Sequence, residues 1–119
     1  MSTNPHPDVV IYHNPGCGTS RKTLDAIREK GIEPTVVQYL KTGWTAAQLR
    51  TLFEAAGLTP RDALRTKQAE GAALKAGNAS DEDIIAAMVA DPVLVERPFV
   101  VTPKGARLCR PMETVFEVL

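Results

Sequence analysis

A cysteine set among glycine, proline and hydroxyl residues is the feature of this sequence that points to chemistry. Cys17 lies in Tyr12-His13-Asn14-Pro15-Gly16-Cys17-Gly18-Thr19-Ser20-Arg21. The apolar run Val9–Tyr12 leads into this stretch, and a helical pattern over Thr19–Lys30 leads out of it. The sulfur is therefore expected in a strand-to-helix turn at a helix N-terminus. Unpartnered backbone N–H groups and the helix dipole favour negative charge there, and the thiolate is the reactive form of cysteine. Ser20, about one helical turn on, is placed to donate its hydroxyl to the sulfur. His13, when protonated, and Arg21 bring positive charge close by. Gly16 and Gly18 lack Cβ atoms and open the backbone to an incoming group. Free cysteines are usually buried and inert, but these polar neighbours make poor company for a core residue. The spacing is Cys-x-x-Ser, so no second cysteine can close a local disulfide. That pattern suits a nucleophile whose sulfur is resolved by another molecule.

The elements that must position this sulfur follow from the rest of the chain. Its 119 residues suffice for one compact domain. Lys plus Arg number 14 and Asp plus Glu number 14, a balance that weighs against a general nucleic-acid binder or a polybasic membrane module. Two cysteines far apart, Cys17 and Cys109, are no disulfide framework and fit a reducing cytoplasm. Residues 1–8 are polar, hold two prolines and have no apolar core region, so they are expected as a flexible extension rather than a secretory signal. No stretch reaches membrane-spanning length.

In order, Val9–Tyr12 is a strand, Thr19–Lys30 a helix ended by Gly31, and Pro34–Leu40 a second strand, which makes a right-handed βαβ unit with parallel strands. A helical stretch follows. Thr45 and Gln48 form a capping box, and Gly57 ends that helix. Pro60–Arg65 is expected as a short helix, Lys67–Ala76 as another, and Ser80 caps a third. Ile84, Ile85, Met88 and Val89 are the expected buried face of the third. Arg97–Thr102 and Ala106–Arg110 then form a β-hairpin around Pro103-Lys104-Gly105. Pro111 opens a last helix over Glu113–Leu119. This order is that of a thioredoxin-like α/β fold, a mixed four-stranded sheet with a helical insertion at about 43–95 between its βαβ and ββα halves. The expected organisation is the extension 1–8 and a single domain over 9–119.

His13-Asn14-Pro15-Gly16-Cys17-Gly18-Thr19-Ser20-Arg21 resembles the active-site signature of the glutaredoxin-coupled arsenate reductase family. Arg61-Asp62-Ala63-Leu64-Arg65, Glu96-Arg97-Pro98-Phe99-Val100-Val101-Thr102-Pro103 and Gly105-Ala106-Arg107-Leu108-Cys109-Arg110-Pro111 are similar to further segments of that family. The resemblance spans nearly the whole chain beyond residue 8. Against the family the chain has a longer N-terminus and lacks a long C-terminal tail, and neither difference touches a candidate site residue.

Hairpin geometry brings two arginines toward the sulfur. Arg97 precedes the first hairpin strand and Arg110 ends the second, so both lie at its open end. In a thioredoxin-like sheet that end is beside the end of the first strand, where the Cys17 loop begins. An arginine is ordinarily a solvated surface charge; here two of them, each beside a proline, converge on the cysteine's side. Guanidinium groups near a thiolate lower its pKa and bind a tetrahedral oxyanion by paired hydrogen bonds. Arg65 joins them by resemblance alone, as the family's third active-site arginine. Pro98 stands where thioredoxin-like folds place a cis proline beside the active cysteine. Arg107 and Arg21 are not expected as oxyanion ligands, Cys109 is expected to pack near the sheet end, and His6 carries no signal. His13 matches the family's histidine.

The resemblance implies reduction of arsenate to arsenite by the Cys17 thiolate, with Arg65, Arg97 and Arg110 as substrate ligands and His13 and Ser20 modulating the thiolate. Glutathione is the implied co-substrate and glutaredoxin the implied partner, with no bound cofactor, no metal, a monomeric state and a cytoplasmic location. Three other readings fit the residues less well. Spx-like regulators that bind RNA polymerase typically carry Cys-x-x-Cys, where this chain has Ser20. A glutathione-linked thiol reductase acting on another substrate would generally lack the full cysteine loop. A phosphatase-type arsenate reductase needs Cys-x5-Arg, and Thr23 stands at that position.

Overall fold

The computed structural model describes residues 4–119. It divides into two compact units, Met1–Tyr39 with Arg97–Leu119, and Leu40–Glu96. The second unit contains the stretch expected as a helical insertion at about 43–95.

The first unit holds the sheet, whose strand order is β2-β1-β3-β4. β1 (Asn4–Tyr12) runs parallel to β2 (Ile32–Val37), and α1 (Gly18–Glu29) connects them. β3 (Phe99–Thr102) is antiparallel to both β1 and β4 (Gly105–Leu108). The expected βαβ and ββ pairings are all present. β1 starts earlier than expected. Asn4–His6 pair with Ile32–Pro34, with a register shift before Val10, and the Asn4 amide bonds the Gly31 carbonyl at 3.0 Å. Residues 4–8 are therefore strand rather than flexible extension, held by backbone pairing although their side chains are exposed. Residues 1–3 of that expected extension lie outside the described residues.

Alternation explains the core. Val9 and Ile11 of β1 are buried and pack with Leu24, Ala26 and Ile27 of α1, Val100 of β3, Cys109, Val115 and Val118. α1 stops where Gly31 takes φ +79°, a backbone setting suited to glycine. The hairpin turn closes in the same way at Gly105, φ +138°. There the Thr102 hydroxyl accepts from the Lys104 amide and donates to the Val118 carbonyl. The last helix is a tighter one than expected, a 3₁₀ helix over Met112–Glu117, and its Phe116 is exposed beneath the Lys30 ammonium.

The second unit is helical: α2 (Tyr39–Thr42) bridges into it, followed by α3 (Ala46–Ala56), α4 (Ala69–Ala76), α5 (Asp81–Ala90) and a 3₁₀ turn over Pro92–Leu94. Tyr39 and Leu40, expected as strand, are helix. Both expected N-caps are built as capping boxes, Thr45 with Gln48 and Ser80 with Asp83, each satisfying two otherwise orphaned amides. Gly57 ends α3 at φ +70°. Pro60–Arg65 is not a helix. Two bonds, Ala63 to Pro60 and Leu64 to Arg61, make a turn that ends in a bridge between Leu64 and Val95. Val89, expected inside, is exposed, while Ile84, Ile85 and Met88 are buried. Among the described residues no helix is long and apolar enough to cross a membrane.

Candidate active site

Cys17 is the N-cap of α1, with extended backbone angles, φ −99° and ψ 122°. Its loop is tied down by local bonds. The Cys17 amide donates to the Asn14 carbonyl at 3.0 Å, and the Gly16 amide to the Asn14 side-chain Oδ1 at 2.9 Å. Arg21 donates from Nη1 to the Pro15 carbonyl at 2.8 Å. An Asn before Pro favours this kind of side-chain-closed turn, so Asn14 is a positioning residue that the Asn-Pro pair could have revealed.

Ser20 and His13 differ from expectation. The Ser20 Oγ is 2.6 Å from His13 Nδ1 and accepts from the Asn14 amide at 3.1 Å. Both side chains are buried. The group of Ser20 that acts on the sulfur is its main-chain N–H. This is one of the free amides of the helix's first turn, where a capping side chain ordinarily accepts. His13 is not a cation beside the thiolate. Burial lowers its pKa below 6.5, the charges of Arg28 and Arg21 lower it further, and Asp25 only partly opposes them. Neutral His13 acts through Ser20, fixing the loop rather than adding charge.

Cys17 is half-buried. That burial on its own raises its pKa, but the Ser20 amide, the Arg97 guanidinium by hydrogen bond and charge, and Arg110 by hydrogen bond outweigh it. The net result is a pKa below 9.0. Arg110 Nη1 lies 3.8 Å from Sγ. Arg97 is buried, and its Nε and Nη1 have no hydrogen-bond partner among the described residues. The structure thus brings Arg97 and Arg110 to Cys17. The Arg97–Pro98 bond is cis, and so is Arg110–Pro111, which the sequence did not suggest. β3 begins at Phe99, two residues later than expected.

Arg65 belongs to the other unit. It is buried there, donates from Nη1 to Glu96 at 3.2 Å, and its Nε has no hydrogen-bond partner among the described residues. Gly71 lies so close that a Cβ would stand 2.2 Å from the Arg65 carbonyl. Arg107 pairs with Glu117 at 3.1 Å, a role on the hairpin's surface as expected. Cys109 is fully buried, and that burial, with the Glu117 charge behind it, pushes its pKa up to about 12 against the weaker pull of Arg107. It is therefore an inert core thiol. Among the described residues no three His, Cys, Asp or Glu side chains cluster to hold a metal ion.

A four-stranded mixed sheet with an acidified, half-buried cysteine at the N-terminus of its first helix, flanked by two arginines, defines a thioredoxin-like class of protein. Comparison with known proteins narrows the class: the ArsC family model matches residues 12–118, and the chain belongs to that family. It is 54% identical over 113 residues to an arsenate reductase of Rhizobium meliloti, covering 93% of this chain and 81% of the relative. Over 114 residues it is 45% identical to an arsenate reductase of Escherichia coli K12, covering 94% and 81%. The solved arsenate reductase from Vibrio cholerae superposes with a TM-score of 0.88 at 40% identity, over 99% of this chain and 100% of that one.

Proposed function

We propose that this protein reduces arsenate to arsenite with Cys17 as nucleophile. The observation that carries the reading is Arg97. It is a buried guanidinium with two unpartnered nitrogens next to an acidified sulfur. Such a charge is costly to bury alone, and a tetrahedral oxyanion would complete its hydrogen bonds. The names of relatives that share half of this sequence support arsenate as that oxyanion.

In this reading Arg97 and Arg110 bind the arsenate dianion and offset its charge. The Cys17 thiolate attacks arsenic, forming a sulfur–arsenic bond while an arsenate oxygen leaves as water with the protons it takes up. Glutathione thiolate then attacks the Cys17 sulfur. A disulfide forms, the sulfur–arsenic bond breaks, and its electron pair stays on arsenic as arsenite. Two thiols have supplied the two electrons. Glutaredoxin takes the glutathionyl group by thiol–disulfide exchange and frees the Cys17 thiolate.

The test is NADPH oxidation dependent on arsenate, coupled through glutathione, glutaredoxin and glutathione reductase. Wild type should turn over, Cys17→Ser should not, and Arg97→Ala should be strongly impaired. Activity that survives in Cys17→Ser would end the mechanism.

A further inference from the structure

The proposed reaction needs a second thiol delivered beside Cys17, and the surface of the same unit holds a cleft suited to it. The cleft measures about 400 Å³ and is walled by Thr19 and Lys22 of α1 and by Arg110, Pro111, Met112 and Glu113. Its volume lies within the range of sites that take small organic ligands, roughly 300–1,000 Å³. It adjoins the sulfur, because its wall residue Arg110 has Nη1 at 3.8 Å from Cys17 Sγ.

The charges of the walls select the occupant. Lys22 and Arg110 are cations and Glu113 is an anion, all exposed to solvent, with Pro111 and Met112 supplying apolar surface between them. A simple anion would gain from the two cations and lose to the carboxylate. Ionised glutathione matches the whole set: two carboxylates for Lys22 and Arg110, one ammonium for Glu113, and methylene stems for Pro111 and Met112. We propose that this cleft is the glutathione subsite, holding the tripeptide by those three charges so that its thiol reaches Cys17. This deepens the function proposed above and rests on it for the identity of the thiol.

Two measurements on the full chain test it. In the first, isotope-labelled Cys17→Ser protein is titrated with S-methylglutathione, which cannot react. Saturable shifts at the Lys22, Met112 and Glu113 amides are expected; shifts confined to other surfaces overturn the subsite. In the second, coupled turnover is measured with variants. Lys22→Glu should raise the glutathione KM about tenfold, the scale of one lost charge contact, and leave the arsenate KM unchanged. Adding Glu113→Lys should recover part of that loss. The same reversal at Lys104, in the hairpin turn, should leave the glutathione KM alone. A glutathione KM indifferent to Lys22→Glu overturns the subsite whatever the titration shows, while arsenate reduction itself stands. If wild type fails to reduce arsenate yet the cleft amides shift and saturate, the subsite stands and the arsenate reading falls. If both fail, both are wrong.

Discussion

Arg110 donates from Nη1 to the main-chain carbonyl of Arg97 at 3.1 Å, across 13 residues of sequence. The same nitrogen lies 3.8 Å from the Cys17 sulfur. Nearby, the Cys109 amide donates to the Pro98 carbonyl at 2.9 Å. The two arginines are thus one assembly at the open end of the hairpin, and Arg110 both touches the sulfur and holds the backbone from which Arg97 projects.

That coupling makes the arginines non-additive in activity. Arg97→Ala should cost about 10²–10³ in kcat/KM for arsenate, the scale of a lost oxyanion contact. Arg110→Ala should cost a similar amount because it also frees the Arg97 backbone. The double variant should fall well short of the product of the two losses. Arg110→Lys keeps a charge but not the planar fork, so it should recover only part of the activity. Steady-state kinetics of the four variants decide the matter.

His13 gives a dependence on acid. Its folded-state pKa is lowered below 6.5, chiefly by burial. The unfolded chain then binds the proton first as pH falls through 6.5. Stability from this group is complete above that value and is lost as pH falls toward the lowered folded pKa. Urea midpoints of wild type should drop between about pH 7 and about pH 5, and less so in His13→Gln. An equal drop in both would show that His13 titrates as an ordinary exposed group.

Cys109 gives the opposite dependence. Its pKa is raised from 9.0 to about 12, so the unfolded chain loses its proton first on the alkaline side. Its stabilisation is complete below 9.0 and is lost as pH rises toward about 12. In a Cys17→Ser background, stability should decline from about pH 9 upward, and Cys109→Ala should flatten part of that decline. At neutral pH, iodoacetamide should label Cys17 and spare Cys109, which mass spectrometry of the digested protein would read directly.

Gly71→Ala should destabilise the protein. The added Cβ would meet the Arg65 carbonyl at 2.2 Å and its carbon at 3.0 Å, both backbone atoms with little room to yield. Overpacking of this kind costs about 1–3 kcal/mol. Denaturant unfolding should show it, and an unchanged midpoint would mean that the backbone around Arg65 yields easily.

Much of this was legible in the residues. The apolar run Val9–Tyr12 as a strand, the Thr45 and Ser80 caps and the two-strand hairpin are set by local chemistry, and each stands in the structure. Hairpin geometry was enough to bring Arg97 and Arg110 together, because strand ends leave few alternatives. Other features depended on contacts that spacing does not encode. Asn4–Asp8 looked loose because their side chains carry no apolar pattern, yet backbone pairing with β2 suffices to hold Asn4–His6. Pro60–Arg65 had a proline well placed for a helix start, but the Leu64–Val95 bridge takes the backbone instead. Ser20 stood one turn from Cys17, and spacing could not say that its amide would serve the sulfur while its hydroxyl served His13.

The most direct test is the pH dependence of Cys17 alkylation by iodoacetamide in wild type, Arg97→Ala and Arg110→Ala. If the Ser20 amide and the two guanidiniums stabilise the thiolate, the wild-type inflection falls below 9.0 and moves up in each arginine variant, with about a tenfold lower rate at neutral pH for each unit moved. A wild-type inflection at or above 9.0, or one unmoved by either substitution, would contradict it.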